Sequence, residues 1–248
     1  MKPRQPLTLI DLCDVIYSAG HVFDDLQCTR EDTAEFLKVG SVNAIRHNVI
    51  GHSGIGHSGD VALLQDLRDV AAFIINQPCA ELDAAYLCTL NSTITRSGPL
   101  HPGRLRSPHQ HIGVSTNYGR HEPPALNTRQ LDAVCRRRAL PGNTVENRAI
   151  SLFIDLARAQ PFEDGNKRTA LFAANSMLIA SASPYLLIAP VDEKDSSIAR
   201  SFNDHLAQAY HSGEDAPVAT DLREHGLVRA ERVSSVASSA TPDEEPSA

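Results

Sequence analysis

Residues 160–172 read QPFEDGNKRTALF and join two apolar segments through a polar turn. The apolar run before the turn ends at Ala159, and the second one begins near Asn166. Both runs have helical periodicity, so the pattern predicts a helix, a turn and a second helix. The first backbone N–H groups of the second helix lack partners within it, and the helix dipole adds partial positive charge there. The turn is therefore predicted to bind an anion.

The residue types in the turn favour a phosphate over other anions. Gly165 lets the backbone approach a ligand closely. Asp164 supplies a hard oxygen ligand for a divalent cation, while Lys167 and Arg168 place positive charge where phosphate oxygens would lie. Phe162 stands in an otherwise polar turn and is predicted to be a buried anchor that fixes the turn's shape. Together these residues indicate a site for a phosphorylated ligand bound with a metal ion.

The turn resembles the signature of the Fic and Doc proteins, His-Pro-Phe-x-x-Gly-Asn-(Gly/Lys)-Arg, and Lys167 makes it more similar to the Doc branch. Every position agrees except the first, where this chain has Gln160. In the family the histidine at that position takes the proton from a target hydroxyl, which then attacks a nucleotide phosphate. The departure therefore falls on the residue that carries the acid–base chemistry.

The resemblance implies a role for each residue of the turn. Asn166 and the backbone N–H groups would bind the transferred phosphate or its neighbour, as preorganised donors do in phosphate chemistry. Asp164 would hold Mg²⁺ that bridges the phosphates of ATP or another nucleotide. The predicted catalytic residues are Gln160, Asp164, Asn166 and Arg168, and the predicted phosphate- or nucleotide-binding residues are Glu163, Gly165, Asn166, Lys167 and Arg168.

An upstream segment extends the resemblance beyond the turn. It contains Pro-Gly-Arg-Leu-Arg at 102–106, His-Ile-Gly at 111–113 and Glu-Pro-Pro at 122–124. In the family a short β-hairpin flap follows such a segment and aligns an extended piece of the target by strand addition. A short strand is expected at 111–114, and the residues predicted to form the target-docking flap are His109, His111, Ile112 and Gly113.

Three interpretations of Gln160 stay open. A glutamine amide cannot accept a proton near neutral pH, although it can orient a water or a hydroxyl. The chain is then a pseudoenzyme that still binds nucleotide, an enzyme whose base comes from elsewhere, such as His109 or His111, or an enzyme whose acceptor is already ionised. Transferase chemistry is the leading interpretation, because the acid, the amide and both cations of the turn are retained.

Residues 42–48 are similar to a degenerate form of the family's inhibitory helix, Ser/Thr-x-x-x-Glu-Gly/Asn. In that motif the glutamate pairs with a second arginine, three residues after the first, and blocks productive nucleotide binding. Here Arg46 stands at the glutamate position and Leu171 at the position of the second arginine. An ordinary amphipathic helix explains the segment equally well. The loss of both partners favours a protein without this form of self-inhibition.

Composition indicates an ordinary globular protein. The chain has 248 residues, of which 42% are hydrophobic and 21% charged, enough for one substantial domain. The formal net charge of −7 argues against a nucleic-acid partner. The five cysteines are scattered, as is typical of reduced thiols. Neither a signal peptide nor an apolar run of about 20 residues is evident, so we expect a cytoplasmic protein without membrane contact.

The resemblance implies an all-α, Fic-type helical domain with a small β-hairpin flap. N-terminal helices over 1–41 are expected to pack on a Fic domain over 42–211, followed by a C-terminal extension over 212–248 that is disordered from about 230. The predicted helix caps are Thr29, Asp60, and Asn143 or Thr144. Periodicity predicts helices at 6–19, 29–38, 40–48, 61–74, 81–93, 126–138, 144–159, 166–182 and 195–211.

By resemblance, the expected activity is Mg²⁺-dependent transfer of a nucleotidyl group (AMP, as in AMPylation) or a phosphoryl group from a nucleotide to a hydroxyl. The acceptor is expected on a protein, with a small molecule as the other option. Because Doc-type toxins are held by an antitoxin, an antitoxin is a further expected partner. The contrasting hypothesis is a catalytically impaired Fic pseudoenzyme that binds nucleotide or docks a partner.

Overall fold

The computed structural model describes residues 6–40, 57–137 and 144–230, which form a helical fold with two small antiparallel sheets. The helices are α1 Cys13–Asp24, α2 Arg30–Val39, α3 His57–Asn76, α4 Ala84–Asn91, α5 Thr128–Arg136, α6 Val145–Ala159, α7 Asn166–Ala180, α8 Ser196–Ser212 and α9 Ala216–Asp221. The strands are β1 Val114–Thr116, β2 Gly119–His121, β3 Tyr185–Leu187 and β4 Leu227–Arg229. The predicted all-α class is confirmed. Over these residues, none of the helices combines the length and the apolar composition that crossing a bilayer requires.

Helix α7 lies at the centre of the fold because it carries no charged residue after Arg168. Every residue from Arg168 to Leu178 is buried, and α7 packs against α6, α3, α4 and α1. Burial of a Leu or Phe side chain contributes about 1.5–3 kcal/mol each, and Leu171 and Phe172 are both fully buried here. The burial of α7 therefore agrees with the absence of charge along it.

The N-terminal helices share this core, and side chains of α1 such as Val15 and Ile16 are fully buried in it. Helix α1 begins later than predicted, because residues 9–12 form a 3₁₀ turn in which Thr8 and Asp11 cap one another. It also continues beyond residue 19 to Asp24. The first helix was therefore predicted in the right region but with the wrong bounds.

Capping residues fix where several helices begin. Thr29 and Thr144 accept hydrogen bonds from backbone N–H groups in the first turns of α2 and α6, as predicted. The prediction that Asp60 is a cap was wrong, because α3 is already helical from His57 and Asp60 lies in its first turn. An acid is favourable there because of the helix dipole. Residues 41–48 and 231–248, with the predicted inhibitory-type segment and the predicted disordered end, lie outside the described part of the chain.

The hairpin β1–β2 is present, but it begins later than predicted. Val114 pairs with His121 and Thr116 with Gly119, so the predicted strand at 111–114 overlaps β1 only at Val114. The reason is a tight turn in which the Ile112 N–H donates to the carbonyl of Gln110, which prevents an extended backbone before Val114. Three of the predicted flap residues, His111, Ile112 and Gly113, therefore lead into the hairpin instead of forming it, and His109 lies before that turn.

The sequence analysis missed the second sheet, in which β3 pairs with β4. The side-chain amide of Asn175 in α7 bonds both the N–H and the carbonyl of Leu187, at 2.9 and 2.7 Å, which fixes β3 on the central helix. The core continues past residue 211, and the division of the chain into 1–41, 42–211 and 212–248 stays a prediction. Buried core residues beyond residue 211 are Val218, Ala219 and Leu222.

Arg106 joins the turn after α6 to the base of the hairpin. Its guanidinium donates to four backbone carbonyl oxygens, those of Gln110, Pro123, Pro124 and Gln160. Its own N–H donates to the carbonyl of Pro161 at 3.0 Å, and Leu105 forms an antiparallel bridge with Phe162. Arg106 is only 5% exposed. The shape of the turn therefore depends on a buried cation that no short-range pattern reveals.

Replacement of Arg106 by lysine should lower the free energy of unfolding by about 2–4 kcal/mol, because an ammonium cannot reach four carbonyls and leaves several unpaired. Urea denaturation measures the change. The exposed Arg104 provides the matched control, and its replacement by lysine should change stability by less than about 0.5 kcal/mol. Equal effects of the two substitutions would contradict this role of Arg106.

Candidate functional site

Gln160 ends α6 in the left-handed conformation, with φ 43°. This conformation costs a non-glycine residue roughly 1–2 kcal/mol, so neighbouring contacts must hold it. The Gln160 N–H donates to the carbonyl of Leu156 at 3.1 Å, and the Gln160 carbonyl accepts from Arg106 at 2.7 Å. The side chain, 8% exposed, lines a cavity at the start of α7. These contacts therefore fix the position of Gln160, the residue that replaces the histidine of the Fic and Doc signature.

The side chain of Asn166 holds the turn together. Its Oδ1 accepts from the Phe162 N–H at 2.8 Å, and its Nδ2 donates to the Phe162 carbonyl at 3.0 Å. Phe162 is 1% exposed, which confirms its predicted role as a buried anchor. Because both ends of the Asn166 amide are used in this way, the side chain shapes the site, and a phosphate role for its amide would require these bonds to break.

Gly165 caps α7 with φ 70°, and a Cβ at this position would lie 2.8 Å from Cδ1 of Ile94. The buried Asn91 of α4 supports the same turn, because its Nδ2 donates to the Asp164 carbonyl and to Oγ1 of Thr169. A glycine is therefore required for two reasons, the backbone conformation and the close approach of Ile94, three residues after the end of α4.

A cavity of about 290 Å³ opens at the N-terminal end of α7. It is bounded by the turn, by the C-terminal end of α1, and by residues 112–114 at the start of the hairpin. A larger cavity of about 630 Å³ lies between β1 and α8. Lys167 and Val114 line both cavities, so the two adjoin. The predicted site residues of the turn lining the smaller cavity are Gln160, Glu163, Asp164, Gly165, Asn166, Lys167 and Arg168.

Arg168 is 2% exposed and already bonded on several sides. Its Nη1 donates to Oγ of Ser97 at 2.6 Å, and its Nη2 donates to the Ser97 carbonyl at 3.2 Å. Its Nε lies 3.2 Å from Oδ2 of Asp24, and its Nη2 lies 3.6 Å from Oδ1 of Asp164. A ligand phosphate can reach this guanidinium only if a carboxylate moves away.

Ser97 is itself held by Asp66 of α3, which is fully buried. Asp66 accepts from the Ser97 N–H and Oγ, each at 2.7 Å, and from the Arg96 N–H and guanidinium. Although burial raises the pKa of the Asp66 carboxyl, the bonds from Ser97 and from the backbone N–H groups of residues 95–97 hold it below its ordinary value. Asp66 is therefore a charged anchor that positions Ser97 beneath Arg168.

The acids of the turn have different environments. Glu163 accepts from the His101 N–H at 3.0 Å and from Nε2 of Gln110 at 3.2 Å, so its carboxylate is bonded to the segment that precedes the hairpin. Asp164 is 51% exposed and accepts from the Gly165 N–H. A carboxylate repels a phosphate. These contacts therefore do not support the direct phosphate-binding role predicted for Glu163. Asp164 is the acid that can reach a metal.

Asp164 fits the expected Mg²⁺ as one carboxylate ligand beside a nucleotide. Mg²⁺ commonly keeps several waters and uses one or two carboxylates together with substrate phosphates. Within the described residues there is no cluster of three or more acidic, histidine or cysteine side chains that would hold a metal by itself. The residues present therefore match a metal that arrives with phosphates, and they do not form a complete protein cage.

Lys167 is the cation that faces both cavities. Its Nζ lies 5.2 Å from the centroid of the Phe23 ring, which packs beneath it. Burial lowers the pKa of the Lys167 ammonium, and the nearby Asp24 carboxylate opposes this shift. Unlike the guanidinium of Arg168, this charge has no carboxylate within ion-pair distance in the described structure. Lys167 is therefore the side chain best placed to meet an incoming anion.

Neither histidine proposed as a substitute base lines the cavity. Nδ1 of His111 lies 2.7 Å from Oε1 of Glu122, and the imidazole is largely exposed. His109 is exposed as well. On the hairpin side, the described residues in the cavity wall are Ile112, Gly113 and Val114. The described structure therefore gives no support to a base supplied by His109 or His111.

Sequence reasoning missed three residues that build the site, Asp24, Asn91 and Ser97, and it placed Arg106 in the segment before the hairpin without recognising its contacts with the turn. One of them left a signal. Asp24 and Asp25 stand at the C-terminal end of α1, where acids are unfavourable with respect to the helix dipole, and this suggests a partner elsewhere. Asn91 and Ser97 act through contacts between distant segments and have no local pattern that identifies them.

Replacement of Gly165 by alanine should lower the free energy of unfolding by about 2–4 kcal/mol, since left-handed strain adds to a collision with Ile94. Gly213 is the matched control because it has φ 73° and open space around its Cβ position. Its replacement by alanine should cost only about 1–2 kcal/mol, the strain alone. Chemical denaturation of both variants measures the difference, and equal costs would show that the approach of Ile94 is unimportant.

Comparison with known proteins agrees with this geometry. Residues 81–178 match the model of the Fic/DOC family. The chain is similar in structure to Fic-1 of C. elegans, with 19% identity and a TM-score of 0.58 over 85% of this chain and 58% of that one. It is also similar to a Fic-domain signalling protein of Bacteroides thetaiotaomicron, with 19% identity and a TM-score of 0.55 over 88% of this chain and 85% of that one.

A Fic family protein of Desulfovibrio desulfuricans has the same fold, with 14% identity and a TM-score of 0.57 over 87% of this chain and 63% of that one. The chain spans 58% of the length of the C. elegans structure. No curated protein matches the chain in sequence. Identities this low show a shared fold, and the family model accounts for the segment that contains the turn. Residues 81–178 therefore resemble the Fic/DOC family in sequence, and the described part of the chain has the fold of solved Fic-domain structures.

Proposed function

We propose that the cavity before α7 binds the phosphates of a nucleoside di- or triphosphate. The observation that carries this proposal is the junction of the α7 N-terminus with Lys167 and Asp164 in one cavity wall. Helix N-terminal N–H groups and a cation bind phosphate oxygens, and an exposed carboxylate beside them can hold a metal. The smaller cavity has room for the phosphates, and the adjoining cavity of about 630 Å³ has room for the rest of a ligand.

We infer that the metal is essential for this binding. Among the described residues, the cavity wall contains three carboxylates, those of Asp24, Glu163 and Asp164, and two cations, Lys167 and Arg168. A polyphosphate without a counterion would be repelled by this excess of negative charge. Mg²⁺, bound by Asp164 and the phosphates, would supply the missing positive charge and polarise the phosphoryl oxygens.

The reaction proposed for the bound nucleotide is transfer to an acceptor hydroxyl. In nucleotidyl transfer the acceptor oxygen bonds to the α-phosphorus, the bond from that phosphorus to the bridging oxygen breaks, and pyrophosphate leaves. In phosphoryl transfer the same oxygen bonds to the γ-phosphorus and ADP leaves. Gln160 can orient the hydroxyl but cannot take its proton, which would pass to solvent water. Because a missing general base costs about 10²–10⁴-fold, the proposed transfer is slow.

A protein acceptor would lie along the hairpin. Strand β1 and the turn after it line the larger cavity, opposite α8. The hairpin is held to α8 by Tyr118, whose hydroxyl donates to Asp204 at 2.7 Å, and by Thr116, whose Oγ1 lies 3.1 Å from Nε2 of His211. A hairpin fixed in this way presents a stable edge to which an extended peptide could add as a strand.

A binding module without turnover is the second candidate, and Gln160 is the observation that favours it. Among the described residues that line the cavity there is no histidine, and the Glu163 carboxylate is bonded to the segment before the hairpin. The nucleotide would then be held without a group that activates the acceptor. Covalent labelling separates this candidate from the slow transferase.

Replacement of Lys167 by glutamine should weaken the binding of ADP with Mg²⁺ by about 10-fold, the loss of one charge-assisted contact. Wild type should bind ADP more tightly with Mg²⁺ than with EDTA. Replacement of Asp164 by asparagine should abolish this difference in ADP affinity, because the metal loses its protein ligand. Isothermal titration calorimetry measures both. The exposed Lys194 is the matched cation, and its replacement by glutamine should leave affinity unchanged. The proposal would be contradicted if wild type bound ADP equally well with and without Mg²⁺ and neither substitution changed the affinity.

Replacement of Gln160 by histidine should raise the rate of covalent labelling from radioactive ATP by about 10²–10⁴-fold. Histidine tolerates the left-handed backbone at this position, so the variant should fold. Parallel reactions with ATP labelled at the α- or the γ-phosphate distinguish nucleotidyl from phosphoryl transfer. Asparagine at this position, an amide that also tolerates the conformation, is the control and should give no increase. If the histidine variant is labelled more slowly than wild type, Gln160 is not simply a lost general base. That result would indicate a mechanism that uses the glutamine.

A further inference from the structure

Asp24 covers the part of Arg168 that a ligand phosphate would have to contact. Two of the guanidinium contacts go to Ser97, which the buried Asp66 fixes in place. The remaining contacts go to two carboxylates that are partly open to solvent, Asp24 with a side chain 30% exposed and Asp164 with one 51% exposed. Arg168 therefore has a fixed contact with Ser97 and contacts with two carboxylates that a ligand could replace.

The stability of α1 does not explain an acid at residue 24. Asp24 is the last residue of the helix, where a carboxylate is unfavourable with respect to the negative end of the dipole. Burial also raises the pKa of the Asp24 carboxyl, although Arg168 opposes this shift, so ionisation here works against desolvation. The neighbouring Asp25 ends the helix in the left-handed conformation and is exposed. What Asp24 gains in this position is the contact with Arg168.

We propose that Asp24 is an internal substitute for a ligand phosphate, which holds Arg168 when no nucleotide is bound and must be displaced before Arg168 can bind one. This inference rests on the proposed phosphate site and concerns its regulation. Asp24 supplies to Arg168 what a phosphate oxygen would supply, an anionic acceptor next to Nε. The carboxylate and the phosphate compete for the same donors, and both cannot be bound there at once.

Such competition lowers the apparent affinity of every ligand that uses Arg168 by the same factor. The fraction of molecules in which Arg168 is free sets that factor. The contact connects nucleotide binding to α1, because the carboxylate can leave Arg168 only by a change of its side chain or of the end of that helix. A partner that displaced the end of α1 would therefore activate the site, and one that stabilised it would inhibit the site.

The test is the affinity for ADP with Mg²⁺, measured by calorimetry on the full chain. Replacement of Asp24 by asparagine keeps the size of the side chain and removes its charge. It should tighten ADP binding by about 10-fold, because Arg168 is then free to bind a phosphate in most molecules. Asp25→Asn makes the same change of charge one residue away and should leave affinity within about twofold of wild type. A gain for Asp24→Asn no larger than that for Asp25→Asn overturns the proposal.

Glu163→Gln separates the release of Arg168 from a general loss of negative charge in the cavity. Glu163 lines the same cavity but bonds His101 and Gln110, not Arg168. Its replacement should change affinity by no more than about threefold, the effect of one screened charge. An equal gain in Glu163→Gln and Asp24→Asn would show that only net charge matters and would overturn the Asp24 proposal.

Thermal unfolding verifies that the variants are folded, because Asp24→Asn removes an unfavourable charge from a helix C-terminus but also removes the ion pair with the buried Arg168. If that variant does not fold, Asp24→Ser provides the same loss of charge with a smaller side chain. The failures are distinguishable. Wild type and Asp24→Asn that bind ADP equally well overturn the Asp24 proposal alone, whereas no binding by either overturns the phosphate site and this proposal with it.

Discussion

The turn between α6 and α7 keeps its shape because the buried guanidinium of Arg106 binds backbone carbonyls both in the turn and in the segments beside the hairpin. One of these carbonyls belongs to Gln160, and two others, from residues 123 and 124, lie where the chain returns from the hairpin. A single cation thereby fixes the distance between the turn and the hairpin. The cavity at the start of α7 exists because these two segments are held apart by that distance, while Asn166 and Gly165 hold the turn from within.

Within this frame the charges of the site are nearly balanced before any ligand arrives. Arg168 is bonded to Ser97 and faces Asp24 and Asp164, so most of its positive charge is already compensated. Lys167 is the exception, since it packs over an aromatic ring and is open to both cavities. We therefore expect Lys167 to attract the phosphates first, and Arg168 to bind them only after a carboxylate has moved. In our proposal, the acids of the site must therefore be displaced before Arg168 can bind a phosphate.

Much of the fold could be predicted because its information is local. Caps such as Thr29 and Thr144 mark the beginnings of helices, and the absence of charge along α7 predicts its burial. The turn was identified for the same reason, since its glycine, acid and cations are consecutive. The rest depends on contacts between distant segments: Asp66 with Ser97, Asp24 with Arg168, and Arg106 with four carbonyls. For example, Asn166 was expected to bind phosphate, but its amide bonds Phe162, which only the path of the folded backbone reveals.

The central claim is that the turn before α7 binds nucleotide phosphates, and a crystal structure of the chain grown with ADP and Mg²⁺ tests it most directly. Our account predicts phosphate oxygens within hydrogen-bond distance of the backbone N–H groups of the first turn of α7, a metal ion at Asp164, and the carboxylate of Asp24 displaced from Arg168. A nucleotide bound elsewhere, with this turn filled only by its own side chains, would contradict the account.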